Sequence, residues 1–188
     1  QFVQGAVGSG QTITLAHTTS GTNRLMLVGI SFDPHGDTIN SVTYGGVNLT
    51  RVGWTQEAGS HSRVEIWALL APATGTANVV VSLSGTSYRG AVVGVMTFNG
   101  VDQSTPYQSY TGAYGTGTTS SITVASSTND RVFSVVHSHK GTSMTPGAGQ
   151  TEYWDRMIDN SNGSGSVKAG ATSVTMSATV KDDDWSIA

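Results

Sequence analysis

The chain is built of short strand-like segments that are separated by turn residues. "QTITLAHT" alternates polar and apolar residues, whereas "NRLMLVGISFD" is almost continuously apolar. Alternation is typical of a strand with one buried face, and a continuous apolar run is typical of a strand buried on both faces. No stretch long enough for a helix carries apolar residues at a 3.6-residue period. The sequence therefore predicts an all-β protein with almost no helix.

Turn residues recur at regular intervals between these segments. Gly45-Gly46 separates "INSVTY" from "VNLTRVGWT", and such a dipeptide suits a tight hairpin with positive φ. Val and Thr, which favour strands, are abundant, whereas Glu occurs only at positions 57, 65 and 152. Short strands that follow one another every 8–12 residues or so indicate an antiparallel β-sandwich of jelly-roll or immunoglobulin-like type. We expect about ten or more strands in a single domain, residues 1–188.

An internal sequence repeat, here called the echo, divides the chain into two related halves, about 1–105 and 106–188. "TITLAHTTSGTNRLMLVGIS" is similar to "SITVASSTNDRVFSVVHS", and "ATGTANVVVSLSG…" is similar to "KAGATSVTMSATV…". In each half an alternating strand meets a Ser/Thr-rich turn, then Asn and Arg, then an apolar strand. Chance similarity between Thr-rich strands is the alternative explanation.

The echo also indicates that the final strand, "WSIA", is shorter than its counterpart "GAVVGVMTF". We therefore expect an open sheet edge at Trp185, Ile187 and Ala188. Such an edge exposes unpaired backbone groups and apolar surface, which must be covered by another strand. The N-terminal "QFVQGAV", with Phe2, Val3 and Val7, is a candidate donor strand from a second copy, and residues 1–10 include a Gly-rich hinge. Head-to-tail strand addition of this kind generates filaments. The alternative is that Phe2–Val7 is the first strand of its own sandwich.

Several motifs carry a family resemblance. "VTYGG", "FNGVDQSTP", "GAGQTEYW" and "DDDWSIA" occur in the order seen in a β-sandwich repeat module of large secreted and cell-surface proteins of bacteria and archaea, and the chain resembles that module over nearly its whole length. The family's copies end with a longer strand after the Trp. The resemblance implies export and a scaffold, adhesive or binding role, with no catalytic residues.

Composition narrows the choice of partners and compartment. Only 11% of residues are charged and the net charge is −3, which excludes a strongly basic nucleic-acid-binding surface. There is no Cys, no initiator Met and no apolar run as long as a membrane span. We interpret Gln1 as the start of a processed, extracellular or cell-surface chain.

Two groups of residues have the donor atoms for a metal ion. "SFDPHGDTI" contains Asp33, His35 and Asp37, but the same residues suit a turn, which we favour. The run Asp182, Asp183 and Asp184 is a candidate Ca²⁺ site that would anchor the last strand. His137 and His139 share one strand face, and we interpret them as surface imidazoles rather than a zinc pair, because no third ligand can be named. No cofactor is required by the sequence.

Catalysis is not predicted. No G-x-S-x-G elbow is present, and the sequence places no pair of carboxyls across a cleft. Exposed aromatic rings that could stack on sugars make glycan binding the main rival to self-assembly. The candidates for glycan contact are Trp54, Trp67, Tyr107, Tyr110 and Tyr114. Asn48 and Asn162 lie in N-x-S/T sequons and are candidate glycosylation acceptors. The prediction is a non-catalytic extracellular structural or adhesive protein that self-assembles, or else a monomeric carbohydrate-binding module.

Overall fold

Sixteen β-strands and no helix make up the part of the chain that the computed structural model describes, residues 11–59, 61–85, 90–159 and 161–188. The all-β prediction is confirmed for this part. The first eight strands are β1 (Thr12–Thr19), β2 (Leu25–Phe32), β3 (Ile39–Tyr44), β4 (Val47–Asn48), β5 (Thr50–Gln56), β6 (Arg63–Leu70), β7 (Gly75–Leu83) and β8 (Ala91–Phe98). The other eight are β9 (Ala113–Gly115), β10 (Thr119–Val124), β11 (Arg131–His139), β12 (Thr145–Pro146), β13 (Thr151–Ile158), β14 (Ser161–Ala169), β15 (Val174–Thr179) and β16 (Trp185–Ile187).

The strands form four antiparallel sheets. Sheet A has the order β1-β7-β3-β4, and sheet B has the order β5-β6-β2-β8. Sheet C has the order β13-β14-β11-β16-β9, and sheet D has the order β10-β15-β12. The strands of the second half, β10 to β16, correspond in chain order to β1, β2, β3, β5, β6, β7 and β8 of the first half. With this correspondence, sheet D has the strand order of sheet A, and sheet C has the strand order of sheet B. The two halves of the chain therefore share one topology, and among the described strands only β4 of the first half and β9 of the second have no counterpart.

Three apolar clusters hold the sheets in a stack in the order A, B, C, D. The first cluster joins sheets A and B through side chains such as Leu15 and Val81 on one side and Val28 and Val93 on the other. The second cluster joins the opposite face of sheet B to sheet C, and the third joins sheet C to sheet D. Sheets B and C are thus covered on both faces, which explains why β2, β6, β8, β11 and β14 are buried along most of their length.

Local turn chemistry agrees with the sequence at two places. Gly45 and Gly46 have φ values of 55° and 83° and join β3 to β4, as predicted for a hairpin. In "FNGVDQSTP", Asp102 Oδ1 accepts hydrogen bonds from the backbone amides of Ser104 (2.7 Å) and Thr105 (3.2 Å). These two bonds lower the pKa of Asp102 and fix the loop that leaves β8.

Candidate functional site

The C-terminal strand is paired on both sides, so the expectation of an open edge at Trp185, Ile187 and Ala188 is wrong. Residues Trp185–Ile187 pair with β11 on one side and with β9 on the other. All three predicted edge residues are buried, with Trp185 and Ile187 packed against sheet D and Ala188 against sheet B. The short β9, which the sequence pattern did not predict as a strand, provides the second partner.

An unpaired edge does occur, but it belongs to β11. Ala188 exchanges both backbone hydrogen bonds with Val135, at 2.7 and 3.0 Å. Beyond this pair β11 continues through Ser134 to Arg131, and within the described residues no backbone partner is found there on the side away from β14. Because amide direction alternates along a strand, the N–H groups of Phe133 and Arg131 point to the same side as that of Val135.

The first half of the chain shows what normally lies at this position. β8 pairs with β2 over eight residues, from Ala91 opposite Phe32 to Phe98 opposite Leu25. Its counterpart β16 pairs with β11 over only three, Trp185 to Ile187, before the Ala188 bonds. Among the described residues, none pairs with β11 at the place that corresponds to the second part of β8 beside β2.

A groove of about 500 Å³ lies at this place. Its lining includes apolar side chains of three sheets, among them Leu27 of sheet B, Phe133 of sheet C and Ile122 of sheet D. Ala188 and the segment from Tyr107 to Thr111 also line it. The groove therefore combines apolar lining with free backbone groups, which are the two features that an added strand would use.

The predicted donor residues Phe2, Val3 and Val7 lie outside the described residues, as does the rest of the segment 1–10.

The five aromatic residues proposed for glycan contact fall into two classes. Trp54, Tyr107 and Tyr114 are 47%, 46% and 55% exposed. Trp67 is only 8% exposed, so its assignment as a surface contact is wrong: its indole N–H donates to Glu65 Oε2 at 2.9 Å, inside the first apolar cluster. Tyr110 is half-buried, and its hydroxyl pairs with Thr55 Oγ1 at 2.9 Å. Of these residues, only Tyr107 and Tyr110 line the groove.

Glu65, the one Glu on a buried strand, accepts hydrogen bonds from the side chains around it. Its Oε1 accepts from Arg63 Nε at 2.8 Å, and the Arg63 guanidinium lies 4.3 Å from the centre of the Trp54 ring. Both carboxylate oxygens of Glu65 are thus bonded, and one face of the exposed Trp54 is covered by a cation.

Histidine and aspartate side chains from both halves converge at the end of the stack where β2 and β11 finish. Asp33, directly after β2, is fully buried. Its Oδ2 lies 3.3 Å from His35 Nε2 and 3.5 Å from His139 Nε2, and its Oδ1 lies 4.0 Å from His61 Nδ1. The rings of His61 and His139 are stacked with centroids 5.1 Å apart. His61 was not singled out from the sequence, because nothing in the β5–β6 turn indicates that it meets the end of β11.

The residues between β2 and β3 also form a turn, as predicted. The Asp37 amide donates to the Pro34 carbonyl at 2.6 Å, and His35 and Gly36 have φ values of 41° and 94°. This turn directs His35 towards Asp33, whereas Asp37 is not a member of the cluster around Asp33. Turn and donor cluster therefore coexist in one segment.

The interpretation of His137 and His139 as surface imidazoles is wrong, since both are buried. His137 is hydrogen-bonded at both ring nitrogens, to Ser62 Oγ at 2.9 Å and to Ser161 Oγ at 2.5 Å. Burial lowers the pKa of His137 to about 3, so the ring is neutral. His139 instead has only its Nδ1 bonded, to Asp183 Oδ1 at 3.4 Å.

The three consecutive aspartates, Asp182 to Asp184, differ in exposure and in their contacts. Asp182 is exposed, whereas Asp183 and Asp184 are half-buried and approach His139. Although burial alone would raise it, the pKa of Asp183 is lowered by the Asp184 amide, by His139 and by Lys140.

The two sequons differ in accessibility. Asn48 is exposed at the end of β4. Asn162 is buried in β14, where its side-chain amide donates to the Thr142 carbonyl, so its assignment as a glycosylation acceptor is wrong.

Comparison of the chain with protein-family models, with curated proteins and with solved structures finds no match. None of the described residues form a helix that could cross a membrane.

Proposed function

We propose that this protein is a non-catalytic, extracellular structural or adhesive module that joins to copies of itself by β-strand addition. The incoming strand would lie in the groove beside Arg131–Ser134 of β11, in line with β16. The observation that carries the proposal is the pair of outward-directed N–H groups at Arg131 and Phe133 next to an apolar groove. An edge of this kind is satisfied by the backbone of another strand.

The groove defines what the added strand must offer. In sheet C the strand would be covered on one face by sheet B and on the other by sheet D, as β16 is. It therefore needs apolar side chains on both faces, unlike a surface strand. The segment Gln1–Val7 of a second copy has such a pattern, because Phe2 and Ala6 alternate with Val3 and Val7.

The resemblance to secreted β-sandwich repeats and the hydroxyl-rich surface support the extracellular assignment. Sheet A, at one end of the stack, presents exposed Thr12, Thr14 and Thr18 on the strand face opposite buried Ile13 and Leu15. Such a face is neutral, polar and independent of pH, which suits a surface exposed to a variable medium.

The direct test compares the full chain with a variant that lacks Gln1–Val7. Size-exclusion chromatography with light scattering should show oligomers for the full chain and monomers for the deletion variant. A labelled "QFVQGAV" peptide should bind the deletion variant and protect the Phe133 amide from hydrogen exchange. The matched control is the same peptide with Phe2→Ser, Val3→Ser and Val7→Ser, which should not bind. A monomeric full chain, or oligomers that persist after the deletion, would contradict the proposal.

Glycan binding is a second candidate, favoured by one observation. Tyr107 is 46% exposed on the wall of the same groove, where its ring is accessible for stacking on a sugar. A glycan array with the native protein and Tyr107→Ala tests this function separately. Binding that is lost in Tyr107→Ala, together with a monomeric native chain, would support the glycan function over strand addition.

A further inference from the structure

Four metal-ligating side chains come together at the end of the stack, independently of the strand-edge groove. Asp33 and His35 come from the β2–β3 loop, His61 from the turn before β6, and His139 from the last position of β11. One donor atom from each of Asp33, His35 and His61 lies within 4.8 Å of the other two. His139 adds a third imidazole nitrogen at 3.5 Å from Asp33 Oδ2.

Two of the donor separations match those of a small tetrahedral site. Zn²⁺ is bound by His nitrogen and Asp oxygen at about 2.0–2.2 Å, which places neighbouring ligand atoms roughly 3.3–3.5 Å apart. The Asp33 Oδ2 distances to His35 Nε2 and His139 Nε2 are 3.3 and 3.5 Å. His61 Nδ1 lies 4.0 Å from the other oxygen of the same carboxylate, Asp33 Oδ1, so its ring would have to move towards Oδ2 to complete the site.

Burial of the donor atoms is a second observation. The Asp33 side chain is completely buried beside the imidazoles, which supply lone pairs when neutral. His61 Nδ1 and His139 Nε2 are both buried without a hydrogen-bond partner among the described residues, so each is available as a ligand atom.

A second layer of contacts orients the most buried of the imidazoles. The Nδ1 of His139 lies 3.4 Å from Asp183 Oδ1, which leaves Nε2 directed at Asp33. Lys140 Nζ lies 3.5 Å from the other oxygen of Asp183. A carboxylate behind a ligating histidine fixes the ring and raises its basicity, as is usual at zinc sites.

We propose that Asp33, His35, His61 and His139 bind one divalent transition-metal ion, with Zn²⁺ the best match. Three nitrogen donors and one oxygen donor suit zinc, whereas calcium requires six to eight oxygen donors. Asp183 is a positioning residue in this site rather than a ligand. The side chains of His35 and His61 are 36% and 41% exposed, which gives the ion a path from solvent.

The bound ion would connect the two halves of the chain. Asp33, His35 and His61 belong to the first half, and His139 and Asp183 to the second. The ion would therefore act as a cross-link at one end of the interface between sheets B and C.

The test uses tag-free, chelator-treated protein of residues 1–188 and ZnCl₂. Calorimetric titration should give one Zn²⁺ per chain, and Co²⁺ should give the intense visible absorption of a tetrahedral site. His35→Asn, which keeps a residue suited to positive φ, and His139→Gln should each lose binding. Asp183→Asn should bind about 10–100-fold more weakly.

His17→Gln is the matched control, because His17 is a buried histidine outside the cluster and its loss should leave zinc affinity unchanged. Circular dichroism establishes that each variant is folded, and His35→Asn, on an exposed turn, keeps the test valid if His139→Gln does not fold. Absence of Zn²⁺ binding by the native protein would overturn the proposal. So would wild-type affinity in both His35→Asn and His139→Gln.

Discussion

At the scale of single residues, the buried histidines show how one residue type takes different roles in this fold. His17 on β1 is buried, donates or accepts one hydrogen bond with Thr97 Oγ1 at 2.9 Å, and lies edge-on to Tyr44. None of the described acidic residues forms an ion pair with it, and burial lowers its pKa to about 4. His139, by contrast, is held between two aspartates.

We predict that His17 makes the fold sensitive to acid. Its pKa is near 6.5 in the unfolded chain and about 4 in the folded one. Between these values the unfolded chain binds more protons, so the free energy of unfolding falls as the pH drops, by up to about 3 kcal/mol from this residue. Urea unfolding at pH 7 and pH 4 should show a larger loss for the native protein than for His17→Gln. Equal losses would contradict the assignment.

Contacts between distant parts of the chain could not be predicted from the sequence. The donor types in "SFDPHGDTI" and "VVHSHKG" were recognised, but His61 meets Asp33 because β2 pairs with β6, and His139 meets Asp33 because sheets B and C stack. No local pattern encodes either contact. The turn at Pro34–Asp37, which depends only on neighbouring residues, was predicted correctly.

At the scale of elements, strand positions followed from the sequence wherever apolar residues alternate or run continuously. The pattern failed for β9, which has three residues. The sequence predicted that the last strand is short. It placed the open edge on β16 rather than on β11, because the pairing of β16 with β9 could not be predicted.

The direction of the amides along β11 leads to a prediction for two neighbouring positions. Arg131 directs its N–H towards the groove, whereas Val132 directs its N–H towards β14. Arg131→Pro should therefore cost less than about 1 kcal/mol of stability, whereas Val132→Pro should cost about 3 kcal/mol or more. Urea unfolding of the two variants measures both values. Similar costs at the two positions would mean that the Arg131 edge is already hydrogen-bonded.

At the scale of the whole molecule, the contact between the two halves depends on one tryptophan and on the glycines that it meets. The ring of Trp154 on β13 lies over Gly94 of β8 and Gly165 of β14, where a Cβ atom would come within 2.3 and 2.1 Å of it. Gly29 of β2 is paired directly with Gly94, and a Cβ atom there would come within 2.4 Å of Val135 Cγ2 and 3.2 Å of the Trp154 ring. Gly94 and Gly165 lack side chains because the indole occupies their space, and at Gly29 Val135 takes most of it.

We predict that Gly94→Ala destabilises the protein by about 2–3 kcal/mol, since the added methyl group overpacks the contact with Trp154. The penalty should shrink when Trp154→Leu is also present, because the smaller side chain vacates that space. A double-mutant cycle of denaturant unfolding measures the coupling, expected at about 1–3 kcal/mol. Additive effects would show that Gly94 is required for another reason.

Both halves should unfold in one transition, followed by tryptophan fluorescence and circular dichroism.

The shared strand order has a consequence for any polypeptide that contains only one of the halves. Its β2–β6–β8 face, or the equivalent β11–β14–β16 face, would lose the sheet that now covers it and would present Val64, Ile66, Val92 and Met96, or their counterparts, to water. Such a polypeptide would reach the same burial by forming a homodimer through that face. The present fold resembles a homodimer of this kind made within a single chain.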